Sequence, residues 1–175
     1  MITTLKGDIT GLDFDLIVNA ANERLLPGNG VCGAIFSKAG PGLFDECNEK
    51  APCPTGQVVL TKAYDLPCKG VIHAVGPIYI DGQHGEEEYL KACYWNACST
   101  AYSYARSHHL DRLSLAFPCI STGIYGFPHK EACQIAVSTV QQLMKEYPDA
   151  KILDICFVCY LEEDYILYKE MLANV

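Results

Sequence analysis

Short apolar runs alternate with longer amphipathic stretches along most of this chain. Leu16-Ile17-Val18-Asn19, Gln57 to Thr61, Gly70 to Val75, Leu113 to Phe117 and Ile152 to Cys159 are rich in Val, Ile and Leu, and each reads as a strand. Val71-Ile72 and Ala74-Val75 flank His73 in an almost unbroken run, as expected of an interior strand covered on both faces. Between these runs the apolar period changes to three and four. Leu90, Cys93, Tyr94, Ala97, Ala101 and Tyr104 recur at that spacing within Glu86 to Ser107, which predicts a long helix with one buried face. Shorter helices are predicted over Gly33 to Ala39, Pro41 to Asn48, Pro128 to about Met144, and Glu163 to Leu172. Pro41 and Pro128 suit a first helical turn, where a missing N–H costs nothing. Tyr165, Tyr168 and Leu172 sit at helical spacing and read as core contacts of the last helix.

No repeat and no linker divides residues 1–175, so the alternation predicts one α/β domain of three layers, with a mixed, largely parallel sheet between helices. In such sheets ligands bind beyond the carboxyl ends of the strands. Two loops follow strands directly: Ala20 to Gly30, rich in turn formers, and Cys119-Ile120-Ser121-Thr122-Gly123-Ile124-Tyr125-Gly126. They are expected to converge at one crevice.

Composition narrows the ligand. Thirteen basic against twenty-one acidic residues give a net charge of −8, which disfavours bulk nucleic-acid binding. A nucleotide must then be held by backbone N–H groups and helix ends instead of a basic patch. No run approaches the ~18 apolar residues of a membrane span, and Met1 to Asp8 lacks a signal peptide's basic and apolar regions. A cytoplasmic location without membrane contact is the expectation. Most of the ten cysteines lie in apolar runs, where a thiol behaves as a small hydrophobe, so free thiols are expected.

Gly28-x-Gly30-x-x-Gly33 matches the dinucleotide-binding spacing, but about eight residues separate it from its strand and no acidic residue closes the next one. What survives is the physics of glycines and a helix N-terminus offering N–H groups to an anion. The second loop repeats that arrangement ahead of Pro128, and two such loops suit a ligand with adjoining phosphates. Tight turns alone would also explain these glycines. No Arg has a Cys six residues earlier, which excludes a cysteine phosphatase motif. Cys156-x-x-Cys159 lies in a strand, where side chains three apart face opposite ways, so no metal site is expected. His73 reads as a satisfied core histidine in preference to a catalytic base.

Gly7-Asp8-Ile9-Thr10, Val18-Asn19-Ala20-Ala21-Asn22, the Gly28-to-Ile35 stretch, Cys53-Pro54-Thr55-Gly56, Val71-Ile72-His73-Ala74-Val75-Gly76-Pro77 and Ala116-to-Gly126 closely resemble, in order, the macrodomain family, its MacroD-like branch in particular. The resemblance implies an α/β/α sandwich with a sheet of six strands or more, binding ADP-ribose or ADP-ribosylated proteins without a cofactor. It implies that Asp8 accepts from the adenine amino group, with the Ile9 backbone beside the ring. Asp8 could equally cap a turn before Thr10, and Tyr160 could pack on adenine or in the core. It implies that Asn22 hydrogen-bonds the proximal ribose, which an amide that donates and accepts can do; an Asx-turn role is the alternative. The Gly30-Val31-Cys32-Gly33 segment and the segment Ser121, Thr122, Gly123, Ile124, Tyr125, Gly126 would cradle the diphosphate through main-chain N–H groups, with Ile124 and Tyr125 flanking the phosphates and proximal ribose. Cys32 departs from the family pattern, which usually has an Asp there to orient the attacking water. A free thiol titrates near ~8.5, and nearby phosphates would raise it further, so Cys32 is a poor base. Three readings stay open: an ADP-ribosyl hydrolase acting on acidic side chains or O-acetyl-ADP-ribose, with Asn22 and Cys32 in the catalytic positions; a non-catalytic ADP-ribose reader; and an unrelated nucleotide-binding enzyme.

Overall fold

A computed structural model describes residues 1–174. Strands β1 (Ile2–Lys6), β2 (Leu16–Ala21), β3 (Val58–Lys62), β4 (Gly70–Val75), β5 (Leu113–Phe117) and β6 (Leu153–Cys159) form one sheet in the order β1-β6-β5-β2-β4-β3. Every neighbouring pair is parallel except β3 with β4. The helices are α1 (Gly30–Ala39), α2 (Pro41–Lys50), α3 (Glu86–Ser107), α4 (His129–Glu146) and α5 (Glu162–Ala173). Among the described residues no helix is long and apolar enough to cross a membrane.

The period-two alternation of each strand divides the core in two. Leu16, Val18, Ile72, Ala74, Leu115 and Phe157 face the layer that holds α3, α4 and α5. Ile17, Val71, Val75, Ala116 and Val158 face the opposite way, against Ile35 of α1 and Leu43 of α2. β4 is buried along its whole length, as its unbroken apolar run requires. Cys156 and Cys159 fall in opposite cores, and all ten cysteines are unpaired.

Most boundaries shift by one or two residues from the sequence expectation, and three differences have a physical reason. β1 (Ile2-Thr3-Thr4-Leu5-Lys6) pairs only with β6, and an edge strand that is half exposed needs no apolar run to announce it. α1 begins at Gly30, three residues before Gly33, because its first turn carries two glycines and no apolar period. Residues 148–152 form a 3₁₀ turn with Pro148 at its start, so β6 begins at Leu153.

Sheet register positions the site. β2 pairs with β4 over all six of its residues, from Leu16↔Gly70 to Ala21↔Val75. Its pairing with β5 is confined to Leu16↔Leu115 and Ile17↔Ala116. Beyond Ile17 the two strands part, and a crevice opens between their carboxyl ends, where strand-following loops meet.

His73 lies mid-β4, fully buried. Its Nδ1 is 3.1 Å from Asn19 Nδ2, which donates to it, so the ring proton belongs on Nε2, 3.0 Å from Thr61 Oγ1. The imidazole is thus a satisfied core group, and burial pushes its pKa down to about 4. An unfolded histidine titrates near ~6.5, so the unfolded chain binds the proton first as pH falls. His73 therefore costs no stability above pH ~6.5 and destabilises progressively between ~6.5 and ~4. His73→Gln should remove about 3 kcal/mol of the acid-induced loss of stability by pH 4, read as a flatter dependence of denaturant midpoint on pH. Parallel profiles for both proteins would show that this imidazole is not the group that titrates.

Candidate functional site

A cleft of about 760 Å³ lies over the parting of β2 and β5. Asp8, Ile9 and Tyr160 line one part of it, from the chain just after β1 and β6. Asn22 enters from the end of β2. Gly30, Val31 and Cys32 come from the first turn of α1, and Ser121, Thr122, Gly123, Ile124 and Tyr125 from the loop after β5. The glycine-containing loops 28–33 and 121–126 therefore border the same cavity. Gly33 and Gly126 of the two loops are not on its wall. Gly126 shapes it from behind. With φ +72 it donates its N–H to Gly123 O at 3.0 Å and closes the turn that presents the others.

Both loops are built for close approach. Asn29 precedes α1 without a side-chain cap, so the first N–H groups of the helix carry no intramolecular partner from it. Gly33 packs against the preceding loop, where a Cβ would come within 2.5 Å of Gly28 O. In the other loop Ser121 holds φ +69, a conformation an L residue keeps only when its surroundings impose it. Phe127 donates to Ser121 O at 2.8 Å, and Tyr79 donates to Tyr125 O at 2.8 Å. The Ser121 hydroxyl is buried and has no partner. Gly76, at the end of β4, also lines the cleft, and any Cβ there would overlap Ser121 Oγ and Ile120. Sequence reading assigned Gly76 no role; only the packing of the Ser121 loop across it reveals one.

The polar side chains make the local contacts considered for them. Asp8 Oδ1 accepts from Thr10 N–H at 3.0 Å and Thr10 Oγ1 at 2.6 Å, while Lys38 Nζ lies 4.0 Å from Oδ2. The Thr10 hydrogen bonds hold its carboxyl below the usual range, leaving an anionic, half-exposed acceptor at the cleft. Asn22 Nδ2 donates to Leu26 O at 2.8 Å, and its Oδ1 accepts from Leu26 N–H at 3.1 Å. An amide has a second N–H and a second lone pair, so this latch orients the side chain and leaves one donor and one acceptor for a ligand. Tyr160 is 78% exposed, which removes the core-packing alternative.

Cys32 is buried at the floor. Asn19 Nδ2 donates to its sulfur at 3.6 Å, and its thiol donates to Leu26 O at 3.6 Å. Burial pushes the thiol above its ordinary value, outweighing the hydrogen bonds of Asn19 and Gly28. It is neutral at physiological pH. Elsewhere, Asp81, His84 and Glu86 gather within 4.8 Å of one another. Glu86 accepts N–H bonds from Ile80, Asp81, Gly82 and His84 at 2.6 to 3.1 Å, so its oxygens are committed to closing the 80–85 loop.

The comparisons with known proteins agree with this geometry. A family model described as Macro domain matches residues 18–136. The chain is 47% identical to a macro domain-containing protein of Listeria monocytogenes over 99% of this chain and 97% of that protein. It is 44% identical to an Escherichia coli protein named O-acetyl-ADP-ribose deacetylase, over 99% and 96% of the two chains. The solved Oceanobacillus iheyensis macrodomain with ADP superposes with a TM-score of 0.87 at 39% identity, covering 98% of this chain and 89% of that one. With a family model matching over half of its residues and a relative 47% identical over 99% of its length, the chain belongs to the Macro domain family.

Proposed function

We propose that residues 1–175 act as one domain that binds ADP-ribose along the cleft and hydrolyses O-acetyl-ADP-ribose and mono-ADP-ribose esters on acidic side chains of proteins. The observation that carries this reading is the pair of preformed loops, 28–33 and 121–126, bordering one cavity with main-chain N–H groups available to a diphosphate. The Escherichia coli relative's name and the ADP of the Oceanobacillus iheyensis macrodomain support the ligand class. Asp8 and the Ile9 backbone take the adenine, with Tyr160 against the ring. The amides of Gly30 to Cys32 and Ser121 to Gly123 take the pyrophosphate, and Asn22 takes the proximal ribose. Ile124 and Tyr125 cover phosphates and ribose, and Gly126 shapes their turn. No cofactor enters the scheme, and ten unpaired thiols suit a reducing cytoplasm.

Water adds to the ester carbonyl, the bond from that carbon to the ribose oxygen breaks, and one of the water's protons passes to that oxygen to give the ribose hydroxyl, while the acid formed releases the other to solvent. The neutral Cys32 thiol does not accept the water's proton; the substrate's own phosphate orients the water instead. That missing carboxylate is also the one observation favouring a reader without turnover. Calorimetry with ADP-ribose followed by a turnover assay on O-acetyl-ADP-ribose separates the two. Binding together with release no faster than in buffer leaves the reader.

Three substitutions test the assignments. Gly123 has open space where a Cβ would stand and needs no positive φ, so Gly123→Val should fold normally and project into the cleft. Loss of ADP-ribose binding with an unchanged melting temperature is expected; retained affinity would place the ligand elsewhere. Asn22→Ala should weaken binding by about 1–3 kcal/mol in calorimetry, through lost ribose hydrogen bonds and a loosened Leu26 latch. Cys32→Asp should raise turnover at neutral pH while costing about 1–3 kcal/mol of stability, because the new carboxylate faces Leu26 O. Unchanged or lower turnover with intact binding would count against water activation by a carboxylate at this position.

A further inference from the structure

A second cavity, of about 400 Å³, opens beside the ADP-ribose cleft and shares Asn22, Gly76 and Tyr125 with it. Its own walls come from Glu23 and Arg24 after β2, Thr55 before β3, and Ile78 after β4. From the junction of the two cavities we infer that the second one is the subsite for the acceptor polypeptide, and that it recognises a segment with acidic residues beside the modified side chain. This rests on the reading of the cleft given above, in which Asn22 holds the ribose bearing the scissile bond. Whatever is attached to that ribose must leave the cleft past Asn22 and Tyr125, into this space.

Size and chemistry select the occupant. A cavity of this volume falls in the range that encloses a drug-sized ligand, far more than an acetyl group fills. Ile78 is 62% exposed and offers an aliphatic contact. Arg24 is exposed and takes part in none of the ion pairs of the described residues. Its neighbour Glu23 has one carboxylate oxygen 3.3 Å from Thr55 N–H, which donates to it. The cation on this wall is the Arg24 guanidinium, whose fork of donors fits carboxylates, and Glu23 keeps its own charge. Glu23 beside it limits the attraction to an acid placed near Arg24.

The wall is also rigid. Glu86 is buried and ties together the N–H groups of Ile80, Asp81, Gly82 and His84. Tyr79 in turn donates to Tyr125 O, joining this segment to the phosphate loop. Ile78 is therefore held in place before a peptide arrives, which lowers the ordering cost of binding.

The test compares two probes by calorimetry: free ADP-ribose, and ADP-ribose joined through a hydrolysis-resistant linkage to a Glu-containing peptide. The native protein should bind the peptide conjugate about tenfold more tightly than ADP-ribose. Arg24→Glu and Ile78→Ser should each remove most of that difference and keep ADP-ribose affinity within about twofold, which also reports that they fold. Equal affinity of the native protein for both probes, or variants that leave the difference intact, would overturn the subsite. Failure of ADP-ribose itself to bind would instead overturn the cleft assignment, and the subsite with it. Because the linkage resists cleavage, the result does not depend on whether the protein is a hydrolase.

Discussion

Two strands that run side by side and then separate set the terms for the rest of this molecule. β2 and β5 share hydrogen bonds only at Leu16 and Ile17, while β2 stays in register with β4 to its last residue. The backbone polar groups released where β2 and β5 part cannot remain buried and unpaired. They are placed instead at a solvent-facing cleft, with the 121–126 loop folded back over its own carbonyls and α1 starting uncapped across from it. A binding surface made of main-chain donors follows from the sheet's own register.

Such a surface reconciles an anionic ligand with a chain of net charge −8. Long-range attraction is absent, and the unpaired amides of a helix start and a tight loop supply short-range donors that acidic surface residues elsewhere barely screen. Amides at fixed positions also discriminate shape, because close approach requires that no side chain intervene. Gly33 and Gly76 meet that demand indirectly: each lets one segment pack onto another, Gly33 onto the Gly28 carbonyl and Gly76 onto Ser121. Both glycines thereby shape the walls of the cleft.

Behind the cleft runs a chain of buried polar contacts, Thr61 to His73 to Asn19 to Cys32. It links the antiparallel edge of the sheet to the first turn of α1. A histidine kept neutral by burial and a neutral thiol make this line rigid without introducing charge. The same neutrality leaves the floor of the cleft at Cys32 without a base, while the Asp8 carboxylate stands on another part of its wall.

Sequence alone determined the layered α/β architecture, because period-two runs and period-three-and-four stripes are local signals of which face is buried. It also singled out both glycine-containing loops, and the placement of His73 in a satisfied core, since its flanks are apolar on both sides. β1 escaped because an edge strand with threonines carries no such signal, and the start of α1 escaped because glycines hide a helical turn. Whether Asp8 and Asn22 cap turns or face a ligand could not be read from spacing. The structure has each amide or carboxylate bonded locally with capacity left over, a result of three-dimensional distances to Thr10 and Leu26. The role of Gly76, the exposure of Tyr160 and the second cavity at Arg24 and Ile78 were decided by tertiary packing alone. Each depends on segments far apart in the chain meeting where the two strands part, and no local pattern encodes that meeting.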